Sequence, residues 1–445
     1  MADPASGPSQ FSRRSRRIRV AAGLVVAAVA IYGGYFAFWK YHLKRFQVVA
    51  PGAFYRVAQP TEFGLRHVVR QHGIKTVVSL QMFDMKLYWG LFDPGDPDGR
   101  QEADFARSLG LQHVQWPMGD EQCWPWPTPW QVEEFLRLVD DPKNHPILIH
   151  CMGGRHRTGT LSALYRLEYD RWSPDRALEE MYSFSFGLPV AVHEYNLRTY
   201  VPRPRPTPAE LQALNEAFAP VLKQPPGSYG ELVGRLREAG NDAAVQTAVT
   251  AYVQAQRPFA LSLAGRLIDR ADDPRAEAIA EAAWVRLNDR QASPTDWESA
   301  AALVADFGSD LRRRELLERL QSEIGKDPPS RFYEAIVRGV TNRYTQNRLA
   351  LLKPLLDDQR VRPNETAGVR YCDTAFVRIA AITDALPVLA WNDEALRSLG
   401  RQTALDWFAK HPDSLALAKR TAPLGRKVVL AGEAPLEEDL SKMRR

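Results

Sequence analysis

Ile147-Leu148-Ile149-His150-Cys151-Met152-Gly153-Gly154-Arg155-His156-Arg157-Thr158-Gly159 is an apolar run that breaks at a cysteine into a loop bearing two glycines. Pro146–His150 has the composition of a buried strand, which delivers Cys151 to its carboxyl end. After five intervening residues, Arg157 opens a segment with helical pattern that runs to Tyr169. Glycines let the intervening backbone curl until successive N–H groups point inward, forming a nest for a tetrahedral anion. The helix start adds its positive end. The same field is expected to favour a thiolate at Cys151, and a thiolate is a nucleophile. Arg157 supplies a planar fork that can hold two phosphoryl oxygens at once. Thr158 can offer its hydroxyl to the sulfur when sulfur must depart.

Around this stretch, from residue 46 to about 200, short apolar runs alternate with amphipathic ones. Lys75–Leu80 and Gln112–Trp116 read as further strands, and Thr61–His72, Gln101–Leu109 and Thr128–Val139 as helices, the last with Thr128 as N-cap and Pro129 at its first position. This alternation predicts an α/β domain, a mainly parallel sheet flanked by helices with its ligand site at the carboxyl ends of the strands. Val201-Pro202-Arg203-Pro204-Arg205-Pro206-Thr207-Pro208 then places proline at alternate positions, which reads as a stiff linker over 201–208. Beyond it strand signals fade, and segments such as Asp273–Asn288 and Ser309–Ile324 have helical periodicity. Residues 209–445 are expected to form an all-α helical-hairpin domain, with a HEAT-like flavour around Arg370–Ile379 but no fixed period.

The string His150-Cys151-Met152-Gly153-Gly154-Arg155-His156-Arg157-Thr158-Gly159 resembles the His-Cys-x5-Arg-Thr/Ser-Gly signature of the protein tyrosine phosphatase superfamily. It is most similar to the small dual-specificity branch, and within it to the atypical plant-and-fungal group, some of whose members act on inositol pyrophosphates. The resemblance covers residues 46–200. It implies a cysteine phosphatase fold, a phosphocysteine intermediate, and a substrate cradle of Met152, Gly153, Gly154, Arg155, His156 and Arg157. It also implies that His150 orders the loop from beneath. The family often carries alanine where Gly153 stands, a mild departure. By the same resemblance Asp120, 31 residues before Cys151, is the general acid and later the base that activates water, with Glu121 as the adjacent alternative. Arg155 is placed to meet an additional phosphate, or is a solvated charge. Tyr55–Pro60 resembles the opening strand-turn of such domains. Cys123-Trp124-Pro125-Trp126-Pro127 could wall the pocket, and Cys123 either pairs with Cys151 on oxidation or is a spectator thiol.

The net charge of +5 is unevenly spread. Residues 1–45 alone carry eight basic residues and one acid, a net +7, so the other 400 residues sum to −2. That argues against a nucleic-acid-binding body. The basic residues bracket Val20–Trp39, twenty residues without a charge, and twenty helical residues span about 30 Å, the thickness of a bilayer's hydrocarbon core. Residues 20–39 are therefore read as a transmembrane helix following a basic tail over 1–19. A cleaved signal with Ala28-Val29-Ala30 at its cleavage site is the alternative, disfavoured because the apolar run continues well past it. Five basic residues precede the span and three follow it, which puts the N-terminus in the cytosol and the catalytic body on the far side.

Three cysteines are too few for a disulfide framework, and their spacing suits no metal site. The expected activity is a membrane-anchored, metal-free and cofactor-free cysteine phosphatase. Its expected partner is a phosphotyrosine, phosphoserine or phosphothreonine protein, or else an inositol phosphate or pyrophosphate. The two rivals are a non-catalytic phosphate-binding interaction protein, with the helical half as its protein-binding surface, and a rhodanese-type sulfur carrier, against which the Arg157-Thr158-Gly159 ending counts.

Overall fold

A computed structural model describes residues 10–81, 86–87, 100–118, 127, 129–184, 191–224, 226–240, 242–268, 273–342, 348–363, 368–383 and 394–412. The chain opens on helix α1 (Gln10–His42). Its apolar part is bare: Leu24, Val26 and Ile31 are 67%, 68% and 72% exposed. The helix from Ile18 to His42 is long and apolar enough to cross a membrane. It extends beyond residues 20–39 at both ends, because the flanking residues are also good helix formers and nothing in them stops the helix.

Five strands follow in a mixed sheet: β1 (Gln47–Ala50), β2 (Phe54–Ala58), β3 (Thr76–Ser79), β6 (Gln112–Gln115) and β7 (Ile147–Cys151). The order is β1-β2-β7-β3-β6, with β1 antiparallel to β2 and all other neighbours parallel. A two-residue ribbon, β4 (Lys86–Leu87) and β5 (Arg100–Gln101), stands apart. Every residue of β7 is buried, as a central parallel strand covered on both faces must be. Phe54, Val78, Ile147 and Ile149 face one core, which holds residues of α4 (Pro129–Asp140), α5 (His156–Glu168) and α6 (Pro174–Ser183). Val57, Val77 and Leu148 face the other, against α2 (Glu62–His72) and α3 (Glu102–Ser108).

Helix α1 runs directly into this domain. Trp39 packs on His67 with ring centroids 4.3 Å apart and Phe38 on Phe63 at 5.4 Å. Buried His42 sets Nδ1 2.7 Å from Thr61 Oγ1, the hydroxyl that caps α2 by accepting from Gly64 N. A Cβ on Gly64 would meet His42 O at 2.4 Å, so only glycine allows this approach.

After α7 (Ala191–Arg198), residues 201–206 carry neither helix nor strand and lie against the α/β domain. Arg203 binds Glu168 at 2.8 Å and Asp140 at 3.0 Å, and Arg266 reaches the same Asp140 at 2.9 Å. Burial alone would raise the Asp140 carboxyl, but Arg203 and Arg266 hold it well below the usual carboxylate range. The rest is mostly helical among the described residues, from Pro208–Leu222 to Glu394–Lys410, with one isolated bridge between Val361 and Arg370. Pro294–Phe307 sits centrally, packed on Ala260–Leu267, Ala276–Asn288 and Arg331–Thr341. Tyr195 of α7 joins that core, and its hydroxyl donates to Asp373 at 3.1 Å.

Candidate active site

The carboxyl ends of β2, β7 and β3 meet where the loop 151–157 begins. Cys151 pairs with Ala58 of β2 and is 3% exposed, with a free thiol. Gly154 has φ +60, and a Cβ there would lie 2.7 Å from Ala58 N and 2.9 Å from Ala58 Cα, so only glycine fits. Gly153 is open: a Cβ would meet nothing nearer than Arg155 Cγ at 3.7 Å. Helix α5 starts at His156, one residue earlier than its sequence pattern indicates, and no side chain caps it. Its first N–H groups are therefore left facing the loop. The N–H groups of Gly153, Gly154 and Arg155 donate to no backbone carbonyl among the described residues.

The loop's own carbonyls are tied outward. Gln59 N donates to Met152 O at 3.1 Å, Arg45 Nη1 to Gly153 O at 2.9 Å and Arg56 Nη2 to Gly154 O at 2.7 Å. With the oxygens turned away, the amide hydrogens are free to turn inward, the arrangement of an anion nest. Arg56 is wholly buried, over the Phe184 ring at 4.2 Å, and burial pulls its guanidinium down to about 10 despite the opposing charges of Glu180 and Cys151.

Arg157 is half-buried, and its Nη1 donates to Leu80 O at 2.7 Å. This ties the guanidinium to the end of β3, beside β7. Thr158 is fully buried, and its hydroxyl has no hydrogen-bond partner among the described residues. Met152 is 54% exposed at the rim, and Arg155 and His156 are half-buried beside it. Asp120, Glu121, Cys123 and Thr128 lie outside the described residues.

Beneath the loop is a residue the sequence did not single out. His150 Nε2 lies 2.5 Å from Oε1 of fully buried Glu102, and His113 Nε2 lies 3.8 Å from the same oxygen. Gln59 Nε2 donates to Glu102 Oε2 at 3.0 Å, and Gln81 Nε2 to Gln59 Oε1 at 3.0 Å. Burial alone would raise the Glu102 carboxyl, but the charge of His150 and the contacts with both imidazoles hold it well below the usual carboxylate range. A depressed folded value means that Glu102 stabilises the fold above its ordinary pKa of 4.5, and that this contribution fades as pH falls below it. Glu102→Gln is expected to cost about 3 kcal/mol at pH 7 and to show a weaker loss of stability on acidification. Urea unfolding at pH 7 and pH 4 checks this; the same acid-induced loss in both proteins would contradict it.

No group of three or more His, Cys, Asp or Glu able to hold a metal occurs among the described residues.

The family described as DSP-PTPase phosphatase fused to NAD+ kinase matches residues 45–189. Inositol diphosphatase DSP4 of Arabidopsis thaliana is 39% identical over 88 residues, 18% of this chain and 41% of that protein. Dual specificity protein phosphatase TpbA of Pseudomonas aeruginosa is 45% identical over 58 residues, 13% of this chain and 27% of that one. The chain thus spans less than half the length of these curated relatives. Among solved structures, the catalytic core of the S. cerevisiae PP-IP phosphatase SIW14 is 23% identical, with TM-score 0.30, over 36% of this chain and 86% of that one. At that TM-score the likeness does not bear on function. Over residues 45–189 the chain is thus similar to phosphatase domains of the small dual-specificity type within the protein tyrosine phosphatase superfamily.

Proposed function

We propose that the chain is a membrane-anchored, metal-independent cysteine phosphatase acting on phosphate monoesters. The observation that carries this reading is the nest itself. A buried free thiol, a loop whose glycine at 154 cannot be replaced without a clash, and an uncapped helix start converge at the end of a central strand. In the proposed reaction Cys151 Sγ attacks phosphorus. The S–P bond forms as the bond to the ester oxygen breaks, and Asp120 protonates the departing oxygen. Loop N–H groups and Arg157 hold the equatorial oxygens, where their effect grows as negative charge develops. Water, deprotonated by Asp120, then attacks the phosphocysteine. Sulfur departs with the Thr158 hydroxyl as donor, a role its buried and unpartnered state suits. His150 orders the loop from beneath, held by Glu102. Helix α1 is the anchor.

A substrate carrying more than one phosphate has support beside the phosphoprotein reading. Arg155 puts a cationic group at the rim, and several relatives are named inositol diphosphatases. The test is phosphate release by the full chain in detergent, with EDTA present, from para-nitrophenyl phosphate, a phosphotyrosine peptide and an inositol phosphate. Turnover of at least one is expected. Binding without turnover of any would favour the non-catalytic reading, and chelator-sensitive turnover would contradict a metal-free mechanism.

A further inference from the structure

Arg45 lies outside the signature, three residues beyond the end of α1. Its backbone occupies the left-handed region at φ 58. The turn around it is fixed by Phe46 N donating to Leu43 O at 3.1 Å and by Ala58 N donating to Lys44 O at 2.8 Å. Ala58 is the strand residue paired with Cys151, so the turn is locked to the neighbour of the nucleophile. From there Arg45 donates to Gly153 O at 2.9 Å. The stem of Arg155 passes over the same glycine. Two arginine side chains thus flank one residue of the loop, and neither guanidinium meets a carboxylate among the described residues. Burial first, then the charge of Arg155, lowers the Arg45 guanidinium, while Cys151 raises it. Holding two like charges together costs energy that a bound anion would return.

We infer that Arg45 is a specificity-determining residue, forming with Arg155 a second anion site beside Cys151 that takes a phosphate carried next to the scissile one. This rests on the phosphatase reading above. Arg45 uses one nitrogen on Gly153 O, which leaves the rest of its fork for the substrate. The site is also tied to the apolar helix. At most about 11 Å of chain separates His42 from Arg45, and the last turn of α1 is packed on α2 rather than loosely linked to it. The rim therefore sits on the side from which α1 leaves, so its second phosphate can come from a lipid headgroup or from a free inositol phosphate.

The test uses the full chain reconstituted in phosphatidylcholine vesicles. kcat/KM is measured for para-nitrophenyl phosphate, for a vesicle-borne phosphatidylinositol bisphosphate and for its soluble headgroup, in wild type, Arg45→Ala and Arg45→Lys. For at least one bisphosphate, its preference over para-nitrophenyl phosphate is expected to fall about tenfold in Arg45→Ala, the order expected for a lost charge-assisted hydrogen bond, and to recover in part in Arg45→Lys. A fall confined to the vesicle-borne substrate assigns a headgroup, and a fall on the soluble one as well assigns a free inositol phosphate. Equal losses on all three substrates would mean that Arg45 only braces Gly153, and would overturn the inference. If wild type hydrolyses none of them, the phosphatase reading fails separately. Calorimetric binding of inorganic pyrophosphate to Cys151→Ser and to Cys151→Ser/Arg45→Ala then decides: a tenfold weaker Kd in the double variant supports the anion site, and an unchanged Kd removes it.

Discussion

Arg157→Lys is expected to lower kcat/KM for para-nitrophenyl phosphate by about a thousandfold, although charge and approximate length are kept. The guanidinium is anchored at Leu80 O through one nitrogen, and its other donors are left for the equatorial oxygens of the transferring phosphoryl group. A lysine ammonium can satisfy the Leu80 carbonyl or a phosphoryl oxygen, and it cannot hold two oxygens in one plane. The interaction strengthens as charge develops, so the loss should appear mainly in kcat, with KM changing less. Steady-state kinetics with both parameters resolved is the check. A variant within about tenfold of wild type would remove Arg157 from the phosphoryl cradle.

Gly154→Ala and Gly153→Ala should differ sharply although the two glycines are neighbours. At Gly154 the added methyl would overlap the backbone of Ala58, which cannot yield as a flexible side chain can, and φ is +60. The left-handed conformation alone costs about 1–2 kcal/mol for a non-glycine residue. Relief of the clash moves the loop away from β2, and a displacement near 1 Å in a catalytic constellation costs about a hundredfold in rate. Gly153→Ala meets only the stem of Arg155 at ordinary contact distance, so it should keep activity within about twofold, in line with the small cost of surface changes. Initial rates and thermal midpoints of both variants decide it. Equal behaviour would contradict the geometry at Ala58.

Strand β7 and the loop after it were legible because a central parallel strand must be apolar on both faces, and because glycine and arginine at fixed spacing have few other uses. The helices fell close to their patterns: Thr61 caps α2, and Ser309 caps the helix beginning at Asp310. Glu102 was hidden. It stands 48 residues before His150, in a segment whose acidic residues read as the exposed face of an amphipathic helix, and only the tertiary fold brings it under the loop. Arg45 was hidden for a different reason. A cation just past an apolar span has an obvious use at a membrane surface, and that use masks its bond to Gly153. Arg203 and Arg205 stand in the stretch read as a stiff linker, and the fold uses both: Arg203 bridges Asp140 and Glu168, and Arg205 donates to Tyr169 O at 2.7 Å. In each case the sequence shows the charge, and its partner comes from a distant segment.

The central claim is that Cys151 is the nucleophile. Its most direct test is phosphate release from para-nitrophenyl phosphate by the full chain with and without Cys151→Ser, at equal concentration and in the presence of EDTA. Serine keeps the size and the loop but is a far weaker nucleophile at neutral pH. The account predicts turnover by wild type and a rate at background in Cys151→Ser, with phosphate still bound by the variant. An unchanged rate in Cys151→Ser would contradict it.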